Sequence, residues 1–279
     1  MVEIESLSLI SQKYDTFFVD LWGVIHNGVN LFKNVLDVLD KLNKSEKKIF
    51  FLTNAPRRSR VISEQLNSFG LNPSLYEEVI SSGEVTWQNL KKKENTLKNK
   101  CYLIGPERDF HLIEGLNLQV VKNTNDVDII VNTGPWGDND KLENYINTLE
   151  ELVKNKAPMI CSNPDKIVFR GEKLMICAGT LADYYEKIGG KVVYYGKPYK
   201  EIYHFCYKLV GRRDKILVIG DSLSNDIAGA QNQGLDSVLV TSGIHRDVNN
   251  ETGIDIKKLN VLMEKKVTFP NFVMKELKY

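Results

Sequence analysis

The stretch ILVIGDSLSNDIAGA, residues 216–230, begins with a short apolar run that ends at an acidic residue. Four consecutive apolar residues followed by glycine are typical of a buried strand, and the alanine and glycine farther on permit a helix to pack closely against it. Asp221 and Asp226 lie in the connection. Carboxylate oxygens are the ligands that Mg²⁺ prefers in proteins. The stretch therefore predicts a strand, an acidic loop and a helix, with a magnesium site in the loop.

Four other apolar runs end in the same way, at a polar residue. Each run's last apolar residue and the polar residue that follows are Val19 and Asp20, Leu52 and Thr53, Tyr195 and Lys197 (after Gly196), and Val240 and Thr241. The 17 residues after Thr53 have the pattern of an amphipathic helix that closes at Gly70. Strands that alternate with helices predict parallel βαβ units, in which ligands bind beyond the carboxyl ends of the strands. We therefore expect Asp20, Thr53 and Lys197 to converge with Asp221.

The middle of the chain, residues 80–194, is predicted to be a separate α/β unit. Its strand candidates are Cys101–Ile104, Asp128–Val131 and Pro158–Cys161, with helices at about residues 140–154 and 178–188. An insertion of this size between two strands of one sheet is most simply a cap domain. The predicted fold is thus α/β: a Rossmann-like parallel-sheet core, residues 1–79 and 195–279, with an inserted smaller α/β cap domain.

The composition limits the partners of the protein. Its 279 residues include 37 basic and 36 acidic residues, a net charge of +1 that gives no field to attract nucleic acid or an anionic membrane. The sequence has no run of about 20 apolar residues, and its first residues include no apolar stretch long enough for a signal sequence. The four cysteines lack the spacing of a zinc site. We expect a cytoplasmic protein that binds neither nucleic acid nor membrane; whether it forms a homodimer stays open.

Taken together, these motifs resemble a known family. Strand-end Asp20, strand-end Thr53, Gly196-Lys197-Pro198 and Gly220-Asp221 with Asp226 follow the order of the four motifs of the haloacid dehalogenase (HAD) superfamily. The resemblance covers nearly the whole chain. A cap between the second and third motifs, and the segment Ser162-Asn163-Pro164-Asp165, are similar to the class IIA group of 4-nitrophenylphosphatase-like and phosphoglycolate phosphatase-like proteins.

The resemblance implies a Mg²⁺-dependent phosphohydrolase of a small phosphorylated metabolite, which acts through an aspartyl-phosphate. It implies that Asp20 is the nucleophile and a metal ligand, and that Lys197 bridges the phosphate and the nucleophile. Thr53 and the Asn54 backbone would hold the phosphate. The other implied metal ligands are Asp221 directly, Trp22 through its backbone carbonyl, and Asp226 through water unless Asp226 instead orients Lys197. Asp20 has an ordinary alternative as a helix cap or turn former, Thr53 and Asn54 as helix caps, and Lys197 as a surface charge.

Trp22 departs from the family pattern, because phosphatases of the family usually have a second aspartate at this position. That aspartate protonates the leaving oxygen and then activates water, and an indole has no titratable group for either step. Three alternatives follow: an acidic leaving group such as an aryl, enol or anhydride phosphate; a substitute acid/base, with His26 nearest and Asp226 second; or phosphate binding without efficient turnover. A loop histidine is the ordinary interpretation of His26.

Dehalogenases of the superfamily have an aromatic residue at the position of Trp22, but their fourth motif lacks the acidic ligand that Asp221 supplies. This difference favours phosphate over halide chemistry. Three cap loops are candidates for substrate contacts, although their Gly, Pro, Asn and Asp residues are also ordinary turn formers. These loops are Thr133–Asp138, Ser162–Asp165 and Ala178–Thr180. The sequence names no substrate.

Overall fold

The computed structural model describes residues 1–94, 98–170, 173–210 and 215–279. The strands in these ranges are β1 (Val2–Glu3), β2 (Thr16–Val19), β3 (Lys48–Thr53), β4 (Glu78–Ser81), β5 (Lys100–Ile104), β6 (Gln119–Val120), β7 (Ile129–Asn132), β8 (Met159–Cys161), β9 (Ile167–Arg170), β10 (Lys173–Ile176), β11 (Val192–Tyr194), β12 (Ile216–Gly220), β13 (Asp236–Val240), β14 (Asn249–Asn250), β15 (Gly253–Ile254) and β16 (Phe272–Met274). The α-helices are α1 (Val35–Lys44), α2 (Ser59–Ser68), α3 (Ser82–Lys92), α4 (Ile146–Lys154), α5 (Ala178–Lys187), α6 (Lys200–Val210), α7 (Ala228–Gln233) and α8 (Ile256–Lys266). No helix in the described ranges is long and apolar enough to cross a membrane.

The chain divides into two compact units. The larger unit contains Met1–Thr53, Arg60–Ile80 and Lys197–Tyr279, and the smaller contains Asn54–Ser59 and Ser81–Gly196. Residues 54–59 therefore pack with the smaller unit, whereas the predicted core, residues 1–79 and 195–279, included them. The predicted division into a core domain and an inserted cap domain stays a prediction.

The larger unit is built on a seven-stranded sheet with the order β1-β16-β13-β12-β2-β3-β4. The neighbours β12 and β2 are parallel, as are β2 and β3. Every residue of β2 and β12 is buried, because helices cover both faces of a parallel sheet and its central strands have no polar side. The chain leaves β2 toward β3 and later returns to β12 on the other side of β2. The switch point of this sheet thus lies beyond the carboxyl ends of β2 and β12.

The smaller unit has its own five-stranded sheet with the order β11-β8-β7-β5-β6. All of its neighbouring strands are parallel. Its core contains strand residues such as Ile130 and Met159 together with Leu149 of α4 and Leu181 of α5. The α/β class, the parallel-sheet core and the flanking helices confirm the predicted fold class.

Helix α1 shows how the pattern of the sequence produces these elements. Val35, Val38, Leu39 and Leu42 are buried, and this spacing places them on one face of the helix. On the opposite side, Asp37 pairs with Lys41 and Asp40 with Lys44, each four residues on. Pairs of this kind add only a few tenths of a kcal/mol each, so burial of the apolar face is what fixes the helix on the sheet.

One prediction about the sheet is wrong. The run that ends before Lys197 is β11, which pairs with β8 in the smaller unit and not with a strand of the larger sheet. Its short apolar run has the same length and composition as the buried strands of the core, so the pattern did not distinguish the two sheets. Lys197 accordingly does not lie at the carboxyl end of a strand of the larger sheet.

The predicted helix after Thr53 is also shorter than expected, because α2 begins only at Ser59. Gly70 has a φ of 87°, as the prediction of a helix end there requires. The helix predicted at about residues 140–154 is confined to α4, and residues 142–144 form a separate 3₁₀ turn before it. The hairpin of β9 and β10 was not predicted.

Candidate active site

Asp20 lies directly after β2, at the switch point of the larger sheet. Its backbone N–H donates to the carbonyl of Ile219 in β12, at 2.8 Å. This bond continues the parallel pairing of the two strands by one residue. The Asp20 side chain is buried, with 7% of the residue exposed. A carboxylate in such surroundings requires charged or hydrogen-bonding partners.

Lys197 supplies the main partner. Its Nζ is 2.6 Å from Asp20 Oδ1, 2.6 Å from Asp226 Oδ1 and 2.8 Å from the carbonyl oxygen of Leu52. The three donors of the ammonium group thus match three acceptors. Burial alone would lower the pKa of Lys197, but the attraction of Asp20 and Asp226 outweighs burial and raises that pKa. Lys197 is therefore a fixed positive charge of the site.

Asp221 follows β12, and the backbone around it has no room for other side chains. A Cβ atom at Gly23 would lie 2.0 Å from Asp221 Oδ2, and one at Gly243 equally close. The same oxygen accepts a hydrogen bond of 2.7 Å from the N–H of Ile244. Gly23 also has a φ of 81°, a conformation that glycine adopts without strain. The two glycines let the loops after β2 and β13 close directly on the Asp221 carboxylate.

Asp226 lies in a π-helical turn, Leu223–Ile227, between β12 and α7. Both of its oxygens have partners, since Oδ1 accepts from Lys197 and Oδ2 accepts from the N–H of Ser222 at 3.1 Å. Of the two roles that the resemblance implied, this arrangement favours orientation of Lys197 over water-mediated metal binding.

The carboxylates fit a divalent cation. Ligand atoms of Asp20, Asp221 and Asp226 lie within 4.8 Å of one another, and oxygens on opposite sides of one Mg²⁺ are about 4.2 Å apart. Burial, and next the repulsion from Asp20 and Asp226, raise the pKa of Asp221 well above its ordinary value. The single positive charge of Lys197 offsets only one of the three carboxylates, and a bound cation would compensate the negative charge that remains. Asp20 and Asp221 are the two side chains best placed to hold it.

Trp22 is folded onto its own loop. Its six-membered ring lies over Gly28, where a Cβ atom would be 2.3 Å from the indole Cη2. The His26 ring packs edge-on against Trp22, with centroids 5.2 Å apart, and also against Phe69. His26 Nδ1 accepts a hydrogen bond of 3.0 Å from the N–H of Gly28. These contacts give His26 a structural role in the loop; its role as a substitute acid/base, and the metal-binding role of the Trp22 carbonyl, stay predictions.

Thr53 and Asn54 are both buried, and the boundary between the two units falls between them. Thr53 is the last residue of β3. Within the smaller unit, Asn54 Nδ2 donates to Asp165 Oδ1 at 2.9 Å. A Cβ atom at Gly196 would lie 2.7 Å from Asn54 Oδ1. The side chain of Asn54 is therefore held by Asp165 and lies close to Gly196, and the Asn54 backbone is the group implied for phosphate binding.

Three groups of the site were not predicted from the sequence. They are the carbonyl of Leu52, the N–H of Ser222 and the loop Gly243-Ile244. The first two are backbone groups, to which no residue type points. The third had a signal, because the run that ends at Val240 places Thr241 and the residues after it at the same edge of the sheet as Asp20.

The chain is similar to proteins of known activity. The sequence pattern of the haloacid dehalogenase-like hydrolases matches residues 17–119, and that of the HAD-hydrolase-like group matches residues 194–260, together more than half of the chain. The 5'-nucleotidase YutF of Bacillus subtilis is 24% identical over 83% of this chain and 88% of its own length. Phosphoglycolate phosphatase 2 of Arabidopsis thaliana is 24% identical over 84% of this chain and 85% of its own. A crystal structure of a haloacid dehalogenase-like hydrolase from Brucella suis 1330 is 29% identical, covers 98% of this chain and 99% of its own, and has a TM-score of 0.86.

Proposed function

Because the chain belongs to the haloacid dehalogenase superfamily, in its class IIA group, we propose that it is a Mg²⁺-dependent hydrolase of a small phosphorylated metabolite. The observation that carries the proposal is the contact of Lys197 with both Asp20 and Asp226, next to Asp221. This arrangement holds one carboxylate for attack and a second for metal binding, with a positive charge fixed beside them. The two similar curated proteins named above are a nucleotidase and a phosphatase, which agree on the reaction but not on the substrate.

The proposed reaction begins with attack of an Asp20 oxygen on phosphorus. The new O–P bond forms as the ester bond breaks, and the electron pair of that bond leaves with the alkoxide or phenoxide oxygen. Lys197 compensates charge on the transferring phosphoryl group. Mg²⁺, when bound, supplies further neutralisation of the phosphoryl oxygens. Water then hydrolyses the aspartyl-phosphate, which releases inorganic phosphate and restores the Asp20 carboxylate.

Trp22 limits which esters this site turns over quickly. General acid–base help is typically worth about 10²–10⁴-fold, and Trp22 offers none. We therefore propose that the preferred substrate has a leaving oxygen that needs little protonation, such as an aryl, enol or anhydride phosphate. The rival proposal, a phosphate-binding protein of low turnover, rests on the same residue.

The test of the nucleophile is hydrolysis of 4-nitrophenyl phosphate with Mg²⁺ by wild type and Asp20→Asn. We expect Asp20→Asn to lower kcat at least about a thousandfold, because the covalent step is lost. Asp37→Asn is the matched control, since Asp37 is an exposed aspartate of the same unit that pairs with Lys41 on α1. Turnover by Asp20→Asn at the wild-type rate would exclude Asp20 as the nucleophile.

A further inference from the structure

The smaller unit has a switch point of its own, separate from the carboxylate site. The chain leaves β5 toward β6 on one side and leaves β7 toward β8 on the other. In an open parallel sheet, the crevice between two such strands, beyond their carboxyl ends, is where ligands bind. The loops that border it begin at Gly105 and at Thr133. A Cβ atom at Gly105 would lie 1.8 Å from Thr133 Oγ1, so the two loops are in direct contact.

Two arginines and one aspartate lie on the segments around this switch point. Arg108 follows β5, Asp138 follows β7, and Arg170 ends β9. Arg108 Nη2 is 3.3 Å from Asp138 Oδ1, and Arg170 Nη1 is 2.9 Å from Asp138 Oδ2. One carboxylate thus bridges two guanidinium groups, with a single oxygen for each. About half of each arginine side chain remains exposed, 57% for Arg108 and 49% for Arg170.

A third arginine, Arg57, lies close to the same groups. Burial lowers the pKa of Arg57, and the attraction of Asp109 raises it. The repulsion from Arg108 and Arg170 lowers this pKa further. Asp109 is itself buried, with 5% exposed, and its carboxylate hydrogen-bonds to Thr133. Arg57 is therefore under the repulsion of Arg108 and Arg170, the two guanidinium groups that Asp138 bridges. Asp109 and Asp138 lie among them.

We propose that Arg108 and Arg170 form an oxyanion-binding site at the switch point of the smaller unit, for a carboxylate or phosphate group. A guanidinium group presents its donors in a planar fork that suits both kinds of oxyanion. Asp138 already shows that a carboxylate fits between Arg108 and Arg170. The ligand replaces Asp138 as the bridging anion, or joins it, on arginines whose side chains are open to solvent.

Two sources supply such an anion: a second anionic group on the substrate, or a free anion. The first source rests on the proposed phosphatase function, and the second does not.

The first experiment measures binding alone, without magnesium, by calorimetric titration of the full-length protein with succinate. We expect binding to weaken roughly tenfold or more in Arg108→Gln and in Arg170→Gln, since each loses a charge-assisted hydrogen bond. Asp138→Asn is expected to tighten binding, because it removes the internal competitor. Arg60→Gln is the matched control, as Arg60 is an exposed arginine of the larger unit that pairs with Glu64.

The signs of these changes test the proposal. A purely structural role of Asp138 predicts no gain in affinity when it is replaced. Absence of succinate binding to wild type, or equal affinity in wild type and both arginine variants, would overturn the proposal. This experiment involves no turnover, so its outcome is independent of whether the protein is a phosphatase.

The second experiment distinguishes the sources through kcat/KM for ω-carboxyalkyl phosphates and the matching ω-hydroxyalkyl phosphates of equal length. A preference for the carboxylates that falls about tenfold in Arg170→Gln identifies the substrate as the source. Equal kcat/KM for both series, together with succinate binding that depends on the arginines, identifies a free anion. Both results support the oxyanion site, and failure to hydrolyse either series would count against the phosphatase alone.

Discussion

The indole of Trp22 lies where the family usually has a second aspartate, and its contacts are with Gly28 and His26 of the same loop. Only one donor N–H and no titratable group is present on this side chain. At the residue scale, the chemistry lost at position 22 is therefore separable from the phosphate-binding and metal-binding groups, which lie on other residues.

Replacement of Trp22 tests this separation. We expect Trp22→Asp to raise kcat for an alkyl phosphate about 10²–10⁴-fold, because it restores a general acid and base. For 4-nitrophenyl phosphate the gain in the first step is smaller, since the phenoxide leaves without a proton. Trp22→Asn is the matched control: it removes the same indole contacts but adds no titratable group. Equal rates for the two variants would contradict this account.

Gly23 offers a second test at this scale. Alanine at a φ of 81° is strained by about 1–2 kcal/mol, and its Cβ would also displace the Asp221 carboxylate. Gly70→Ala is the matched control, because Gly70 has a φ of 87° and nothing lies within 4 Å of its Cβ position. We expect both variants to lower the free energy of urea unfolding, and only Gly23→Ala to weaken Mg²⁺ binding measured by calorimetry. Unchanged Mg²⁺ affinity in Gly23→Ala would show that Asp221 does not hold the metal.

At the scale of elements, the loop after β12 makes stability depend on pH. The folded state raises the pKa of Asp221 well above its ordinary value near 3.8. Between the unfolded and folded pKa values the native state binds the extra proton, so the free energy of unfolding falls as pH rises through this window. Asp221→Asn has no such proton to lose.

With a metal chelator present, we therefore expect the stability of Asp221→Asn relative to wild type to increase as pH rises from about 4 toward 8. Urea unfolding at several pH values measures the difference. Added Mg²⁺ should reduce or reverse it, because the cation binds the ionised Asp221 of wild type. A difference that is constant with pH would contradict the raised pKa.

The strands that the sequence predicted well are those whose residues are all, or all but one, buried. β2, β3 and β12 end within a residue of their predicted ends, since a run of apolar residues closed by a polar one has few other interpretations. The hairpin of β9 and β10 was not predicted, because its apolar runs are only three residues long and its residues are half-buried or exposed. The π-helical turn that carries Asp226 has no sequence signature of its own.

Part of the side-chain arrangement was predictable from the sequence, and the backbone groups were not. Strand-end reasoning expected Asp20, Thr53, Lys197 and Asp221 to converge. Lys197 contacts Asp20 and also Asp226, with Asp221 nearby, whereas the convergence of Thr53 and the roles of these residues stay predictions. Lys197 follows a strand of the smaller sheet and not, as expected, a strand of the larger sheet. Periodicity identifies a strand but not its partners, because pairing depends on contacts between residues far apart in the chain.

For the molecule as a whole, the same topological rule applies twice. Each unit has an open parallel sheet in which two neighbouring strands send the chain in opposite directions, and charged side chains lie at both switch points. In the larger unit these are mainly carboxylates around one lysine, and in the smaller unit arginines around two carboxylates. The contrast in charge suits a cation and a phosphoryl group at the first site, and an oxyanion at the second.

The insertion of one unit within the other also determines which of the two sheets has all its strands first during synthesis. When the ribosome has synthesised residues 1–196, every strand of the smaller sheet is present, whereas β12, β13 and β16 of the larger sheet do not yet exist. Because domains generally fold as units during synthesis, we expect the inserted unit to complete its sheet while β2 still lacks its partner β12. The lysine that joins Asp20 to Asp226 is the first residue of the larger unit to emerge after that delay.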